Sequence, residues 1–258
     1  MQFAIVNGVR STATSGEKGI CPTCGGRMVA KCGTQIIHHW AHVSRQCDIW
    51  WENETAWHRE WKECFPEDYR EVGHVADDGE IHRADIKHPN GLVVEIQHSS
   101  MPEKERDARE NFYGNMIWIV DASPFKQNLH ICHPLPNPQS ELAQDLRWFF
   151  AAKGRKRGAN RGMFWRVSEN PNEDEGVLIH SLEDIRDEVR ESYIGHRQYY
   201  WTRPRHVWQT SRKPVFLDLG GGLMGRLGVY GPQGLPCLQY YPKKFLINAL
   251  RKGVIPPN

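Results

Sequence analysis

The sequence predicts a mixed α+β protein with an α/β core, and three features of the chain carry that expectation. Aromatic residues recur at helical spacings at Trp50, Trp57, Trp61 and Phe65, just before Pro66, the pattern of an amphipathic helix ended by proline. Three apolar runs follow, at about 69–75, 81–87 and 92–97, separated by "DDGE" and "HPNG", which is turn chemistry between antiparallel strands. Four of the seven cysteines, Cys21, Cys24, Cys32 and Cys47, crowd into one short N-terminal segment. Together these predict three parts: a zinc-binding module over residues 1–50, a core over 51–133 and an accessory mixed α/β region over 134–258.

Composition bounds the class. The chain has 258 residues, 39% of them hydrophobic and 25% charged, enough to bury a real core. Its mean hydropathy of −0.64 fits a soluble globular chain. Apolar runs such as "MIWIV" are short, and "MQFAIVNGVR" lacks the basic start and long apolar stretch of a signal peptide. The expectation is a cytoplasmic protein with no membrane partner.

The cysteine cluster suits metal better than disulfides, which would be spread more evenly and belong to small secreted domains. "CPTCGG" offers two thiols at knuckle spacing, with glycines that let backbone amides point at the thiolates. "HHWAHVSRQC" offers His38, His39, His42 and Cys47 for the remaining positions. The preferred set is Cys21, Cys24, His42 and Cys47, with His39 as a substitute or as a hydrogen-bond partner to a ligand. A set using His39 and His42 would be paired ligands in the first turn of a helix. Four Cys and His ligands close the coordination sphere and give zinc a structural role. Cys32 is expected to lie outside it.

In the core, Glu54, His58 and Lys62 stand at i, i+4 and i+8, one helical face. Taken alone, such a trio is a solvated stripe. Register decides what the next two strands do. A two-residue Asn90-Gly91 turn would put Asp85 and Glu95 on opposite faces, whereas a three-residue Pro89–Gly91 loop pairs His88 with Leu92 and sets the two acids opposite each other. Proline disfavours a paired strand position, which favours the second register. Facing carboxylates repel unless a cation lies between them. "MPEKERDARENFY" then reads as a charged helix beginning near Pro102, and "NMIWIVDA" as a buried strand.

Helix, three antiparallel strands, helix, strand is the element order of the PD-(D/E)xK nuclease core. From Cys21 to Asp121 the chain also resembles the competence protein CoiA-like family. The residues that carry the likeness are "CPTC", "HHWAH", "ENETAWHREWK", "RADI", "VVEIQHS", an arginine-bearing helix reaching Tyr113, and "IWIV". The resemblance implies a restriction-endonuclease-like fold, a small zinc-binding N-terminus and action on DNA in uptake, recombination or defence. It assigns motif positions to Glu54, His58, Lys62, Asp85, Glu95 and Gln97. Gln97 stands where the wider nuclease superfamily usually has lysine, making this an ExQ variant.

Those residue types suit one chemistry. Asp85 and Glu95, with the Ile96 carbonyl, offer the oxygen ligands that Mg2+ or Mn2+ takes, and such an ion acidifies bound water and offsets charge on a phosphoryl transition state. Gln97 can orient water but supplies no positive charge. Lys62 can supply it if the Glu54, His58, Lys62 face packs over the strands, with Glu54 near the ion or its water and His58 as acid, base or orienting group. Ser99 is expected at a strand end.

Beyond residue 134, "QSELAQDLRWFFAAKGRKR" and "VLIHSLEDIRDEVRESY" read as helical, and the segment from Lys213 as two or three strands before a last helix. "LGGGLMG" reads as a hairpin turn and "HICH" as a surface loop. The net charge is only +2, yet residues 153–166 hold six Lys/Arg without an acid, and 201–213 hold four more with two tryptophans. Basic residues among aromatics suit phosphate neutralisation with base stacking, making Arg155, Lys156, Arg157, Arg203 and Arg205 the candidate DNA contacts. Two function classes follow: a divalent-metal-dependent DNA endonuclease, or a non-catalytic DNA-binding accessory that works with a protein partner in a recombination or defence complex.

Overall fold

The computed structural model describes residues 1–44, 47–50, 54–76, 79–150, 158–170 and 176–257. The chain divides into two compact units: residues 1–120 with 211–214 and 247–255, and residues 121–210 with 215–246 and 256–258.

The first unit opens with a five-stranded sheet of β1 (Phe3–Val6), β2 (Val9–Thr12), β3 (Lys18–Ile20), β4 (Arg27–Lys31) and β5 (His39–His42), in the order β2-β1-β3-β4-β5. Asn7 and Gly8 take φ of 52° and 82° between Val6 and Val9, which pair directly, as a two-residue hairpin turn requires. This small sheet closes on Met1, Ala4, Ala13, Cys21, Met28 and Trp40. So few apolar side chains leave the module dependent on further ties.

Next come α1 (Ala56–Glu63), β6 (Arg70–Val75), β7 (Ile81–Lys87), β8 (Val93–Gln97), α2 (Glu103–Tyr113) and β9 (Met116–Asp121). This is the order of helix, three strands, helix and strand read from the sequence. β6, β7 and β8 pair antiparallel, and β9 runs parallel to β8. Every residue of β8 and β9 is buried, as strands covered on both faces should be. The helix starts later than the aromatic spacing suggested: Thr55 is the cap, its hydroxyl accepting from His58 N at 3.2 Å, and Trp50 lies outside in a turn. Trp50 instead stacks on His82, ring centroids 3.1 Å apart.

The hairpin register is the expected one. Ile86 pairs with Val94 and Lys87 with Val93, His88 N donates to Leu92 O at 2.8 Å, and Gly91 takes φ of 90°. Asp85 therefore stands opposite Glu95. On the other side, Arg70 pairs with Ile86 and Val72 with Ala84, which sets Glu71 opposite Asp85. Three carboxylates thus sit at one level across three neighbouring strands. Residues 77–78 of the preceding turn lie outside the described residues.

The second unit contains β10 (Leu129–Pro134), α3 (Glu141–Asp145), β11 (Leu146–Trp148), β12 (Met163–Arg166), β13 (Ile179–Ser181), α4 (Arg186–Ser192), β14 (His196–Trp201), α5 (His206–Gln209), β15 (Val215–Asp218), β16 (Leu223–Tyr230), β17 (Leu235–Pro242) and α6 (Lys243–Arg251), of which α6 ends in the first unit. Strands β10-β14-β17-β16-β15 run antiparallel in that order, and β11-β12-β13 make a three-stranded sheet. The core here includes Leu135, Trp148, Phe164, Tyr230 and Leu235.

Two helical expectations shorten. Leu146–Trp148 is a strand because its alternation of buried Leu146 and Trp148 around half-buried Arg147 pairs with β12, and Ile179–Ser181 likewise pairs with β12 before α4 begins. "HICH" is strand, not loop, since His130 and Ile131 pair with Tyr200 and Tyr199. "LGGGLMG" is the β15–β16 turn, with Gly220, Gly221 and Gly222 all at positive φ. Among the described residues, no helix is long and apolar enough to cross a membrane.

Candidate metal centre and acidic pocket

Two sites lie in the first unit. In the N-terminal module the side-chain donors of Cys21, Cys24, His42 and Cys47 all fall within 4.8 Å of one another. Local structure explains the convergence. Cys21 N donates to Gly26 O at 2.8 Å and Gly25 N to Cys21 O at 3.0 Å, a tight turn that Gly25 completes at φ of 71°. Gly26 N donates to Cys24 Sγ at 3.4 Å. A Cβ on Gly26 would meet Cys24 Sγ at 3.2 Å and His42 Cδ2 at 3.3 Å, so only glycine lets these two donors approach.

The donor set fits zinc. Cys21 Sγ and Cys47 Sγ are 3.9 Å apart, and Cys24 Sγ lies 3.4 Å from His42 Nε2. Tetrahedral Zn–S and Zn–N bonds imply edges of about 3.8 and about 3.6 Å. Burial and the neighbouring Cys21 thiol push the Cys47 thiol up to about 12. His39 is not in the cluster. It lies on strand β5 rather than a helix, where alternation turns it away from His42, and its Nδ1 is 2.9 Å from Ile37 O. Cys32 Sγ contacts Ala13 O at 3.5 Å.

The second site is a cavity of about 40 Å3, lined among others by Glu54, His58, Lys62, Asp85 and Glu95. That volume holds an ion and a few waters, not a nucleotide. Lys62 is its hub: Nζ lies 3.1 Å from Glu54 Oε1, 3.0 Å from Glu71 Oε1 and 3.1 Å from Asp85 Oδ1. His58 Nε2 is 3.0 Å from Asp85 Oδ1, one turn before Lys62 on α1. Glu54 precedes the helix cap yet still reaches Lys62, and Arg59 Nη2 holds its other oxygen at 2.5 Å.

The two facing acids replace backbone partners. Asp85 Oδ2 accepts from Ile96 N at 2.9 Å, and Glu95 Oε1 accepts from Asp85 N at 3.2 Å. Arg109 Nη1 lies 3.0 Å from Glu95 Oε2. Their environments differ sharply. Burial works against ionisation of Asp85, but His58 and Lys62 hold its carboxyl well below the usual range. For Glu95, burial and the Asp85 charge outweigh Arg109 and push the carboxyl up to about 8.

Gln97 is buried two residues beyond Glu95, but its Nε2 donates to Ser99 O at 3.3 Å and Ser99 Oγ at 3.1 Å. It does not line the cavity.

The cavity also collects residues that the sequence did not single out: Asp48, Glu71, Arg83, Arg109 and Tyr113. Glu71 takes φ of 49°, a left-handed conformation that costs a non-glycine residue about 1–3 kcal/mol. Its contacts compensate: besides Lys62, Oε2 accepts from Gln2 N at 2.8 Å and Phe3 N at 3.4 Å. Burial opposes its charge, yet Lys62 and Arg83 keep it ionised far below the usual range. Register arithmetic across β6 and β7 could have found Glu71. Tyr113 Oη is buried at the wall with no hydrogen-bond partner among the described residues.

The zinc module builds part of this cavity. Asp48, one residue past Cys47, accepts from Arg83 N and Trp50 N at 2.9 Å each and contacts His82 Nδ1 at 2.9 Å. Burial would raise it, but His82, the Trp50 N–H and Arg83 keep it below the usual range. Thr23, inside the knuckle, lies so close to Gly73 of β6 that a Cβ there would sit 2.4 Å from Thr23 Cγ2.

This construction agrees with the sequence comparison: residues 10–49 match the family model of the competence protein CoiA N-terminal domain. Over those residues the chain is similar to the CoiA N-terminal domain. The match runs from Arg10, within β2, to Ile49, so it contains all four zinc-type donors and Asp48. No curated protein and no solved structure matches it.

Of the candidate DNA contacts, Arg203 and Arg205 are exposed before α5, Arg205 stacking 5.8 Å above Phe125. Arg155, Lys156 and Arg157 lie outside the described residues.

Proposed function

We propose that the acidic pocket binds a divalent ion and hydrolyses DNA phosphodiester bonds, as a PD-(D/E)xK-type endonuclease of the ExQ variety acting inside the cell in DNA uptake, recombination or defence. The observation that carries the reading is the charge state of the pocket. Its lining holds five carboxylates, Asp48, Glu54, Glu71, Asp85 and Glu95, against Lys62, Arg83 and Arg109, with Arg59 pairing Glu54 and Glu105 pairing Arg109 from beside it. Acids outnumber the lysine and arginines, and the excess bears on the facing pair: burial and the Asp85 charge push Glu95 up to about 8. A divalent ion in place of the Glu95 proton would offset that excess and give a phosphodiester a positive centre.

Asp85 and Glu95 would hold Mg2+ or Mn2+, hard ions that take carboxylate oxygens. Such an ion supplies an acidified water and charge stabilisation on phosphate oxygens. The protein's own groups do the rest. Lys62 and His58 hold Asp85 in its ionised form and in place. Arg109 fixes the Glu95 carboxylate. The Tyr113 hydroxyl is a donor in reach of what enters the cavity. The helix, strand and helix order around the acids supports the same superfamily reading.

A second reading is a non-cleaving DNA-processing accessory that recruits a protein partner. One observation favours it: every oxygen of Asp85 and Glu95 already has a protein partner. Incubating the protein with supercoiled plasmid, linear duplex and single-stranded DNA, with Mg2+, with Mn2+ and with chelator, separates the two. Metal-dependent cutting of any substrate supports the enzyme; none with either metal gives the accessory reading.

A further inference from the structure

The second unit has a larger cavity, about 320 Å3, whose lining includes Arg186, Arg190, Arg197, His133, Tyr193 and Glu183. None of these residues lines the Asp85–Glu95 pocket. We propose that this cavity binds the phosphate monoester of a single nucleotide, either the terminus of a DNA strand or a free mononucleotide, with the three arginines on the phosphate. The proposal deepens the DNA-processing reading and rests on it only for the source of the nucleotide.

Size is the first argument. The volume is at the low end of small-molecule pockets, enough for one nucleotide and too little for a chain. A DNA backbone passing over the surface has no use for a recess of one-nucleotide size, whereas an end does.

Charge is the second argument. Three guanidinium groups meet one carboxylate in the lining. Glu183 pairs with Arg186, and Asp187 pairs with Arg190 at 3.2 Å. All four of these side chains are more than half exposed, from 56% to 90%. Exposed pairs of this kind contribute little, and a doubly charged phosphate with three acceptor oxygens displaces them readily.

Arg197 is built differently. It is half-buried on β14, and its Nε donates to Tyr193 Oη at 3.2 Å while Nη1 donates to Cys132 O at 3.3 Å. Its guanidinium carbon lies 5.9 Å from the ring centroids of both Tyr193 and Tyr240. The plane is therefore fixed from two sides, while Nη2 has no hydrogen-bond partner among the described residues. A guanidinium held in this way, with donors left over, is preorganised for bidentate capture of phosphate. Tyr193 offers a ring beside it on which a base can stack. His133, on the neighbouring strand β10, adds an imidazole to the lining, with Gly162 packed against it, where a Cβ would come within 3.2 Å of the ring.

The test is calorimetric titration of the full-length protein, without added divalent ion, with three ligands. They are a 5′-phosphorylated single-stranded dodecamer, the same dodecamer with a 5′-hydroxyl, and 2′-deoxyadenosine 5′-monophosphate. The phosphorylated dodecamer should bind about tenfold or more tighter than its hydroxyl counterpart. Arg190→Ser, at an exposed position, and Arg197→Lys, which keeps the charge but not the fork, should each remove most of that preference. If the mononucleotide competes at matching affinity, the ligand is a free nucleotide; if it does not, the ligand is a strand end. Equal affinity for the two dodecamers, together with no binding of the mononucleotide, overturns the proposal, as does a preference that survives both substitutions. Binding is read here without cleavage, so a pocket that cuts no DNA leaves this result standing, and the reverse holds too.

Discussion

Asp48 and His82 are joined by a buried 2.9 Å contact between Oδ1 and Nδ1, one residue beyond the zinc-type ligand Cys47. The loop that closes the metal centre is therefore the same loop that braces β7, the strand carrying Asp85. A structural metal here would order β7 as well as its own module.

The first prediction concerns that brace. Elemental analysis should find about one zinc per chain. Stripping it should raise amide hydrogen exchange in residues 81–87 as well as in 20–44, because binding free energy is folding free energy in such modules. Asp48→Ala should retain zinc but lose about 2–4 kcal/mol in urea unfolding, since it takes a partner from buried His82 and from two half-buried backbone N–H groups. Exchange confined to 20–44 after zinc removal would show the two sites to be independent.

A second prediction follows from Lys62, one buried ammonium holding three carboxylates. Lys62→Met should cost about 3–5 kcal/mol, because it leaves those acids without their cation. Adding Glu71→Gln should recover part of the loss, and urea midpoints of the two single variants and the double variant measure the coupling. Additive effects would mean that the hub does not couple them.

The pH dependence has two limbs of opposite sign. Glu54, Glu71 and Asp85 are held below their ordinary range, so the stability they contribute is present above about pH 4 and is lost as pH falls further. Glu95 is raised to about 8, so its contribution is full below about 4.5 and is lost as pH climbs towards 8. A divalent ion should offset the second limb, since it replaces the proton. Added Mn2+ should therefore raise the thermal midpoint more at pH 8 than at pH 6, and Glu95→Gln should flatten that difference. Equal shifts at both pH values in the parent would remove Glu95 from the ion's coordination.

Much of this architecture was legible because local rules and tertiary structure agree. "HPNG" fixed the register of Asp85 against Glu95 through turn chemistry alone, and the knuckle spacing with His42 and Cys47 gave the four donors. The misses have physical causes. Trp50 kept a helical spacing by coincidence, and its burial comes from stacking on His82. His39, expected only as a substitute ligand or a hydrogen-bond partner to one, is set apart from His42 because β5 is a strand whose alternation turns the two to opposite faces. Asp48, Arg83 and Arg109 act through contacts between segments far apart in sequence, which periodicity does not encode. In the second unit, short strands such as Leu146–Trp148 borrow their conformation from β12, overriding the helical propensity around them.

The basic stretches make a fourth prediction. Arg203 and Arg205 are exposed, Arg205 over Phe125, and neutralising both, or Arg155, Lys156 and Arg157 together, should weaken DNA binding. The log–log salt slope should fall by up to about one unit per true phosphate contact. An unchanged slope would return these side chains to ordinary solvated surface.

The central claim is that Asp85 and Glu95 together hold the ion that cuts DNA. Its most direct test is to compare the parent with Asp85→Ala and Glu95→Ala for both cleavage and DNA affinity, with Mg2+ or Mn2+ present. The account predicts that each substitution abolishes cleavage while affinity stays equal or rises, because removing a carboxylate that faces phosphate removes repulsion. Cleavage by Glu95→Ala at the parent's rate would contradict it.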